Sequence, residues 1–409
     1  MRTDGMPEAV SGPGMVQTLL AGVEKALPEA VQLRHDLHQH PHVSGDEGPT
    51  AKRLLEALGD VSYERVAETG FVLRVGPDDG PAVGIRAELD ALPVREKSAV
   101  GFASTNGNMH ACGHDVHMAG AFALARAALQ TELPVALLFI FQPREEAYPS
   151  GAKDILLSEV LDRHSVRSVV GVHVQPQVAA GTITTGAGAV NAAADEFRVS
   201  VSAGGGHAAY PHKTSDAIVA LAQIVTAAQT LVSRRINPMH PAVVTFGALC
   251  SGDAANVIPA LAEASGSIRS NTREDRAALA DGMREIVELV ARAHGCEGEL
   301  EIISGEPVLS NDRTVVEAVD PVLVEHGFEV VDPHRSCGSD DFSYYSDAYP
   351  SIMMFLGVGP EGGAPSLHHP GFVPPDWSVG AVARAFACAV AAIAPLVRQE
   401  QDGGGPTPG

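Results

Sequence analysis

The sequence predicts an α/β protein: a mostly parallel sheet with helices packed on it, interrupted by an inserted ferredoxin-like α+β segment. Apolar runs without polar alternation recur between helical patterns, as strands buried on both faces do. From about residue 190 the order changes to β-α-β-β-α-β, the ferredoxin-like arrangement. The length, 409 residues, suggests about two or three domains.

The apolar runs come first. Gly70–Val75, Ala82–Leu89, Val135–Gln142, Ser168–Val174 and Ser351–Gly357 each read as a buried strand. "HDVHMAGAFALARAALQ", residues 114–130, is apolar all round and suits a helix lying on the sheet. Its start is placed near Asp115, because Gly113 interrupts the helical spacing. The insert opens with a strand at Asp195–Ala203 and a helix at Ser215–Arg234, followed by strands at 242–252 and 261–271. The helix in "TREDRAALADGMREIVELVARAHG" has Thr272 as N-cap, Asp275 at the capping-box position and Gly295 as its stop. "GELEIIS" supplies the last strand. The sheet domain is thus expected in two parts, 14–189 and 306–400, around an insert at 190–305. Residues 1–13 and 401–409, rich in Gly and Pro, are expected to be flexible tails.

Acidic residues number 50 and basic residues 28, a formal charge of −22. Nucleic acid and anionic membranes attract basic patches, so neither is an expected partner. Cys112, Cys250, Cys296, Cys337 and Cys388 are scattered and odd in number, which fits free thiols in a reducing compartment. No signal-peptide pattern opens the chain and no apolar run reads as bilayer-spanning, so a cytoplasmic protein is expected.

Metal-ligating residue types follow the apolar strands. Asp90 follows Ala82–Leu89, and Glu145 and Glu146 follow Val135–Gln142. His173 ends the next strand, and His368 and His369 follow Ser351–Gly357 after a Gly-rich loop. Open α/β sheets bind ligands at the carboxyl ends of their strands. "NMHACGHDVHMAG", residues 108–120, adds Cys112, His114 and Asp115 just before a helix. Cys thiolate, His nitrogen and Glu oxygen all ligate zinc and similar divalent ions. Of the adjacent Glu145 and Glu146, one can bind metal while the other takes a proton from water. Two neighbouring carboxylates repel unless a cation neutralises them. His110, His114 and His117 would share one face of a continuous helix, an alternative triad that Gly113 disfavours. His117 is expected to orient a ligand or to pack.

The segments "RAELDALP", "MHACGHDVHMA", "FQPREE", "GVHV", "GGGHAAYPH", "NVIP", "GSIR", "GSDDFSYY" and "LHHPGF" occur in this order. Together they resemble the amidohydrolases of metallopeptidase family 20, in the aminoacylase and carboxypeptidase clan. The likeness is to the branch that hydrolyses N-acyl-amino acids, hippurate and auxin conjugates, and it runs from about Leu33 to Phe372. It implies a catalytic domain with two divalent metal ions (zinc, or manganese, cobalt or nickel) and an inserted lid domain through which two copies form a homodimer. It implies Cys112, His114, Glu146, His173 and His368 as metal ligands, with Cys112 bridging. Glu145 would be general base toward a metal-activated water. His207 would help stabilise the oxyanion across the dimer, and Asn256 and Arg269 would hold the substrate carboxylate. Asp90 and Asp115 would orient ligands without binding metal. Phe342, Tyr344 and Tyr345 are placed to line an acyl pocket. Where the branch commonly has alanine beside the base, this chain has Arg144, placed to tune that carboxylate or to meet the substrate.

The expected reaction is hydrolysis of the amide bond of a small N-acyl-amino acid. The same machinery would serve a metallo-carboxypeptidase or dipeptidase acting on a short peptide. A hydrolase using Cys112 as nucleophile, with His110 or His114 as base, is a further alternative. It leaves Glu145, Glu146, His173 and His368 without a task. Outside catalysis stands a binding protein on a retired enzyme scaffold, against which an intact base and ligand set speaks.

Overall fold

The computed structural model describes residues 13–359, 363 and 365–402. The tails expected at 1–12 and 403–409 lie outside the described residues. Residues 13 and 401–402, expected in those tails, are helical instead: Pro13–Gln39 and Trp377–Asp402 are long helices. Pro13 opens its helix, where a missing N–H leaves no bond unmade.

The chain divides into two compact units. The first comprises the described residues up to Gly188, Ser310–His334 and those from Tyr344 on. Its sheet has 8 strands, in the order 64–66, 70–75, 136–142, 82–88, 166–179, 351–359, 182–184, 329–331. Ala136–Gln142, Ala82–Glu88, Val166–Ala179 and Ser351–Gly359 run parallel at its centre. Antiparallel pairs lie toward its edges. Every position of Ala82–Glu88 and Ala136–Gln142 is buried, which is why neither run alternates. The helices Pro13–Gln39, His114–Ala128 and Trp377–Asp402 pack on one another and share one core with the sheet. The strand expected to end near Val174 continues to Ala179, because Ser351–Gly359 extends the ladder as far as Ala179.

The second unit comprises Ala189–Leu309 and Arg335–Ser343. Its antiparallel 4-stranded sheet has the order 242–251, 261–270, 193–202, 297–304. The helices Ala217–Thr230 and Arg273–Ala293 share a core with it, built on Phe197, Val199, Leu221, Ile224, Leu279 and Met283. A short ladder of Gly206–His207 with Val257–Ile258 is added to the β-α-β-β-α-β series. Thr272 Oγ1 accepts the Asp275 N–H at 3.0 Å and donates to Asp275 Oδ2 at 2.7 Å, so this cap closes on the hydroxyl. Gly295, at φ +69°, ends the helix. The segment 335–343 lies beyond the insert in sequence yet belongs to this unit. Gly338 O accepts from Ala192 N at 3.0 Å, and Ser339 Oγ accepts from Arg269 at 2.9 Å.

Among the described residues, two helices, Ala217–Arg235 and Trp377–Gln399, are long and apolar enough to cross a bilayer by length and composition. This corrects the expectation that no such run exists. The second is 72% buried and is a core helix of its unit. The first is 33% buried and lays one face on its own sheet.

Candidate metal centre

Parallel register builds the floor of the site. Arg86 pairs with Gly171, Glu88 with Gln142, and His173 with Phe355. Glu88 and His173 therefore stand at one level, two residues past the Arg86–Gly171 pair. Just beyond, the chain leaves the strands at Asp90 and at Pro143–Glu146.

Gly113 turns the chain into the helix His114–Ala128 with φ +92°. A Cβ there would stand 2.4 Å from Val174 Cγ2, so both backbone and space require glycine. On its two sides, Cys112 and His114 each reach Glu146. Cys112, Glu146 and His368 each offer a ligand atom, all within 4.8 Å of one another, and so do His114, Glu145 and Glu146.

For each histidine, the bond made by one ring nitrogen decides the task of the other. His114 Nδ1–H donates to the Asp90 carbonyl at 2.9 Å. Its Nε2 lies 3.8 Å from Glu145 Oε2 and 4.0 Å from Glu146 Oε1. His173 Nδ1–H donates to the Val174 carbonyl at 2.8 Å, and its Nε2 lies 3.5 Å from Cys112 Sγ. His368 Nε2 lies 3.3 Å from Glu146 Oε1. The His368 backbone is left-handed, φ +65°, and its N–H donates to the Ala111 carbonyl at 2.9 Å, which ties its loop to the Cys112 segment. His117 differs. Val174 N–H donates to its Nε2 at 3.0 Å, and its Nδ1–H donates to Glu88 Oε2 at 3.0 Å. With both nitrogens engaged, His117 braces the His173 strand.

These residues fit a divalent cation. His114 Nε2 and Glu146 Oε1 are buried and have no hydrogen-bond partner among the described residues. Orphaned buried atoms of this kind are costly unless something binds them. The donors around them are nitrogen, sulfur and carboxylate oxygen, a set suited to zinc and its neighbours.

Residues 84–392 match the family described as Peptidase family M20/M25/M40. The chain belongs to this family. N-acetylcysteine deacetylase of Bacillus subtilis (strain 168) is 34% identical over 365 residues, 87% of this chain and 94% of that protein. N-acetyldiaminopimelate deacetylase of the same organism is 33% identical over 350 residues, 84% and 92% of the two chains. The crystal structure of the Bacillus subtilis YXEP protein, described as a dinuclear metal binding peptidase from the M20 family, is similar with a TM-score of 0.79. That likeness is at 31% identity over 90% of this chain and 98% of that one. The chain is a hydrolase of amide bonds, with a cluster able to hold metal ions.

The electrostatics of this M20 site describe an excess of negative charge. Burial, with the Glu146, Glu145 and Glu88 carboxylates, holds the Cys112 thiol well above its ordinary value. Burial disfavours charge on His114, but Glu88, Asp90 and Glu146 overcome it and raise its pKa to about 10. Asp90 Oδ2 accepts from Ser44 Oγ at 2.7 Å and from Glu146 N–H at 2.9 Å. Burial opposes its ionisation, yet His114, Ser44 and the Glu146 N–H hold its carboxyl below the usual range. Asp90 thus orients His114 through its carbonyl and the glutamate loop through its carboxylate. The Asp115 bonds go elsewhere, to Arg34 Nε at 2.8 Å and His38 Nδ1 at 3.0 Å, and anchor the first turn of the helix.

The Arg144 side chain makes its bonds with its own loop and with neighbouring segments. Its guanidinium is turned onto Pro149, Ala67 and Asp154. Of the three aromatics expected to line an acyl pocket, Phe342 and Tyr345 are fully buried and Tyr344 is half-buried, and Tyr345 Oη donates to Gln142 Oε1 at 3.0 Å. His207, Asn256 and Arg269 belong to the second unit. Within it, His207 pairs with Val257, and Asn256 O accepts the Ala208 N–H at 3.0 Å, so His207 and Asn256 are neighbours. Arg269 is half-buried in the strand Leu261–Ser270.

Sequence reasoning missed Arg86, Glu88 and Glu47, all buried around the site. Arg86 and Glu88 pair with each other. The signal was present: opposite charges two apart in an apolar strand share one face and cannot be buried unpaired.

Proposed function

We propose that the chain cleaves the amide bond of an N-acyl-amino acid, with Cys112, His114, Glu146, His173 and His368 holding two divalent ions (zinc, or manganese, cobalt or nickel). Cys112 would take the bridging position that the family resemblance implies. One observation carries this reading. His114 Nε2 and His173 Nε2 are both turned, by carbonyls behind them, toward a thiol and two carboxylates.

Bound there, divalent ions polarise an amide carbonyl and lower the pKa of water toward about 7. Glu145 is the general base. It takes a proton from the attacking water as the water oxygen joins the amide carbon, and gives it to the nitrogen as the C–N bond breaks. Ala209 N–H donates to His207 Nδ1 at 3.1 Å, so the ring hydrogen is on Nε2, where it serves as a donor to the oxyanion. Asn256 and Arg269 hold the substrate carboxylate, for which a planar guanidinium offers two parallel donors. The names of the two deacetylases support a short acyl group.

The second unit is proposed to form the homodimer. Ala242–Ser251 is an edge strand with Val243 and Leu249 exposed. The helix Ala217–Thr230 has no charged residue and exposes Ile218 and Val219. A monodisperse, fully active monomer in solution scattering would contradict this assembly. A Cys112 nucleophile is disfavoured by the same electrostatics: reactive thiols have lowered pKa values, and this one is raised. Burial pushes His110 down to about 3, which makes it a poor base.

The deciding experiment measures metal content and hydrolysis of N-acetyl-amino acids, hippurate and dipeptides, before and after chelation and metal add-back. About two ions per chain, with activity lost on stripping and restored by metal, is the expected result. Full-rate hydrolysis by stripped protein would overturn the reading. Turnover of dipeptides alone would move the assignment to a dipeptidase.

A further inference from the structure

The loop that carries Glu145 and Glu146 leaves the strand Ala136–Gln142 through Pro143 and Arg144. Arg144 has φ +50°, in the left-handed region that arginine seldom adopts. Its own groups hold it there. Its backbone N–H donates to Glu47 Oε1 at 2.9 Å, and its carbonyl accepts the Gly151 N–H at 3.1 Å. Nε donates to the Pro149 carbonyl at 3.0 Å, and Nη1 to the Ala67 carbonyl at 3.2 Å. Nη2 donates to Asp154 Oδ2, on the helix Gly151–Leu157. The Arg144 side chain is only 8% exposed. One residue therefore closes the loop 144–151 on itself and joins it to the turn at Ala67.

Other contacts remove the remaining slack. Glu47, fully buried, also accepts from Gly45 N–H at 2.9 Å and Thr69 Oγ1 at 2.7 Å. Past the two glutamates, Asp90 Oδ2 takes the Glu146 N–H at 2.9 Å. Carboxylates from two other loops thus grip the chain on either side of Glu145. The fit is close: a Cβ on Gly151 would stand 1.7 Å from the Pro143 carbonyl oxygen, and one on Gly70 would stand 2.6 Å from Pro143 Cδ.

We propose that Arg144 is a positioning residue that fixes the direction in which Glu145 and Glu146 leave the strand. Rotation about its backbone would swing both carboxylates together, and its spread guanidinium prevents that rotation. The Arg144 contacts are with the loop and its neighbours, so its effect reaches the chemistry through Glu145 and Glu146. This rests on the proposed roles of Glu146 as ligand and Glu145 as base. Groups that orient metal ligands typically change metal affinity or activity by about 10–100-fold when removed.

The test uses the full chain, stripped of metal and titrated with Co²⁺, whose visible absorption bands report ligand geometry. The proteins are the wild type, Arg144→Ala, Arg144→Lys, Glu146→Gln and a control, Arg163→Ala, which breaks an exposed ion pair with Glu64. Arg144→Ala is expected to bind Co²⁺ about 10–100-fold more weakly, with shifted bands. Its kcat is expected to fall by a similar factor while KM stays within about twofold. Arg144→Lys should recover only part of this, since an ammonium lacks the planar fork that reaches two carbonyls and a carboxylate. A lowered Tm with unchanged Co²⁺ affinity, bands and kcat would make the role structural only and overturn the proposal. A raised KM with kcat held would replace positioning by substrate contact. Wild type that binds no Co²⁺, or Glu146→Gln that binds it as well as wild type, would remove the metal-site reading and the proposal with it. Wild type that binds normally beside an indistinguishable Arg144→Ala would sink the positioning role alone. If Arg144→Ala does not fold, Asp154→Asn removes one end of the same clamp. It should weaken Co²⁺ binding less but in the same direction, and no change there overturns the proposal.

Discussion

Replacing Gly113 by alanine is the sharpest test of how the Cys112–Gly113–His114 turn builds the site. The residue is held at φ +92°, where a Cβ is strained by about 1–2 kcal/mol. That Cβ would also stand 2.4 Å from Val174 Cγ2 and 3.4 Å from Pro374 Cγ. Val174 is fully buried, and overpacking of this kind costs about 1–3 kcal/mol. Together the two effects destabilise the protein by about 2–5 kcal/mol. Val174 follows His173 and donates its N–H to His117, so any displacement reaches the proposed ligands. Gly113→Ala should therefore lose metal as well as stability. Urea unfolding followed by circular dichroism gives the first quantity, and elemental analysis of dialysed protein the second. Adding Val174→Ala removes the clash but not the backbone strain. The double variant should be more stable than the two single losses combined would allow. A loss below about 1 kcal/mol with full metal content would refute the steric reasoning.

Glu145→Gln should keep its metal and lower kcat by about 10²–10⁴-fold, and steady-state kinetics beside metal analysis would show it. Chelation should lower the thermal midpoint in a metal-dependent way, since a ligand at about 100 times its Kd contributes about 2.7 kcal/mol; a midpoint indifferent to chelator and to added metal would count against a cation in the site. His38 carries a pH dependence. Burial disfavours its charge, but Asp115 and Glu96 overcome this and raise its pKa to about 9, against about 6.5 when unfolded. Its contribution is fully present below about pH 6.5 and is lost as pH rises through about 9. The stability difference between wild type and His38→Gln should narrow by about 3 kcal/mol over that window. An NMR titration that finds His38 neutral at about pH 8 would end this argument.

Much of the fold was legible in local pattern. Strands such as Ala136–Gln142 announce themselves because burial on both faces leaves an apolar run in which only the last residue, Gln142, is polar. The Thr272 cap and the Gly295 stop are written in single residues whose preferences are local. The strand through His173 was read too short, because its last residues are specified by the partner Ser351–Gly359 and not by their own polarity.

The sequence by itself determined which chemistry was available: ligand-type residues after successive strands, and a glycine between Cys112 and His114 that permits their turn. Tertiary structure decided how those residues are used. Strand register alone sets Glu88 level with His173. Carbonyls of Asp90 and Val174 choose which nitrogen of His114 and His173 faces the carboxylates and the thiol, while Glu88 and Val174 occupy both nitrogens of His117. Arg144 read as a cation beside the base, and in the fold its guanidinium bonds the Pro149 and Ala67 carbonyls and Asp154. Residue types and spacing are properties of neighbours along the chain. The direction of a lone pair depends on hydrogen-bond partners that come from distant segments, and only the folded chain brings them together.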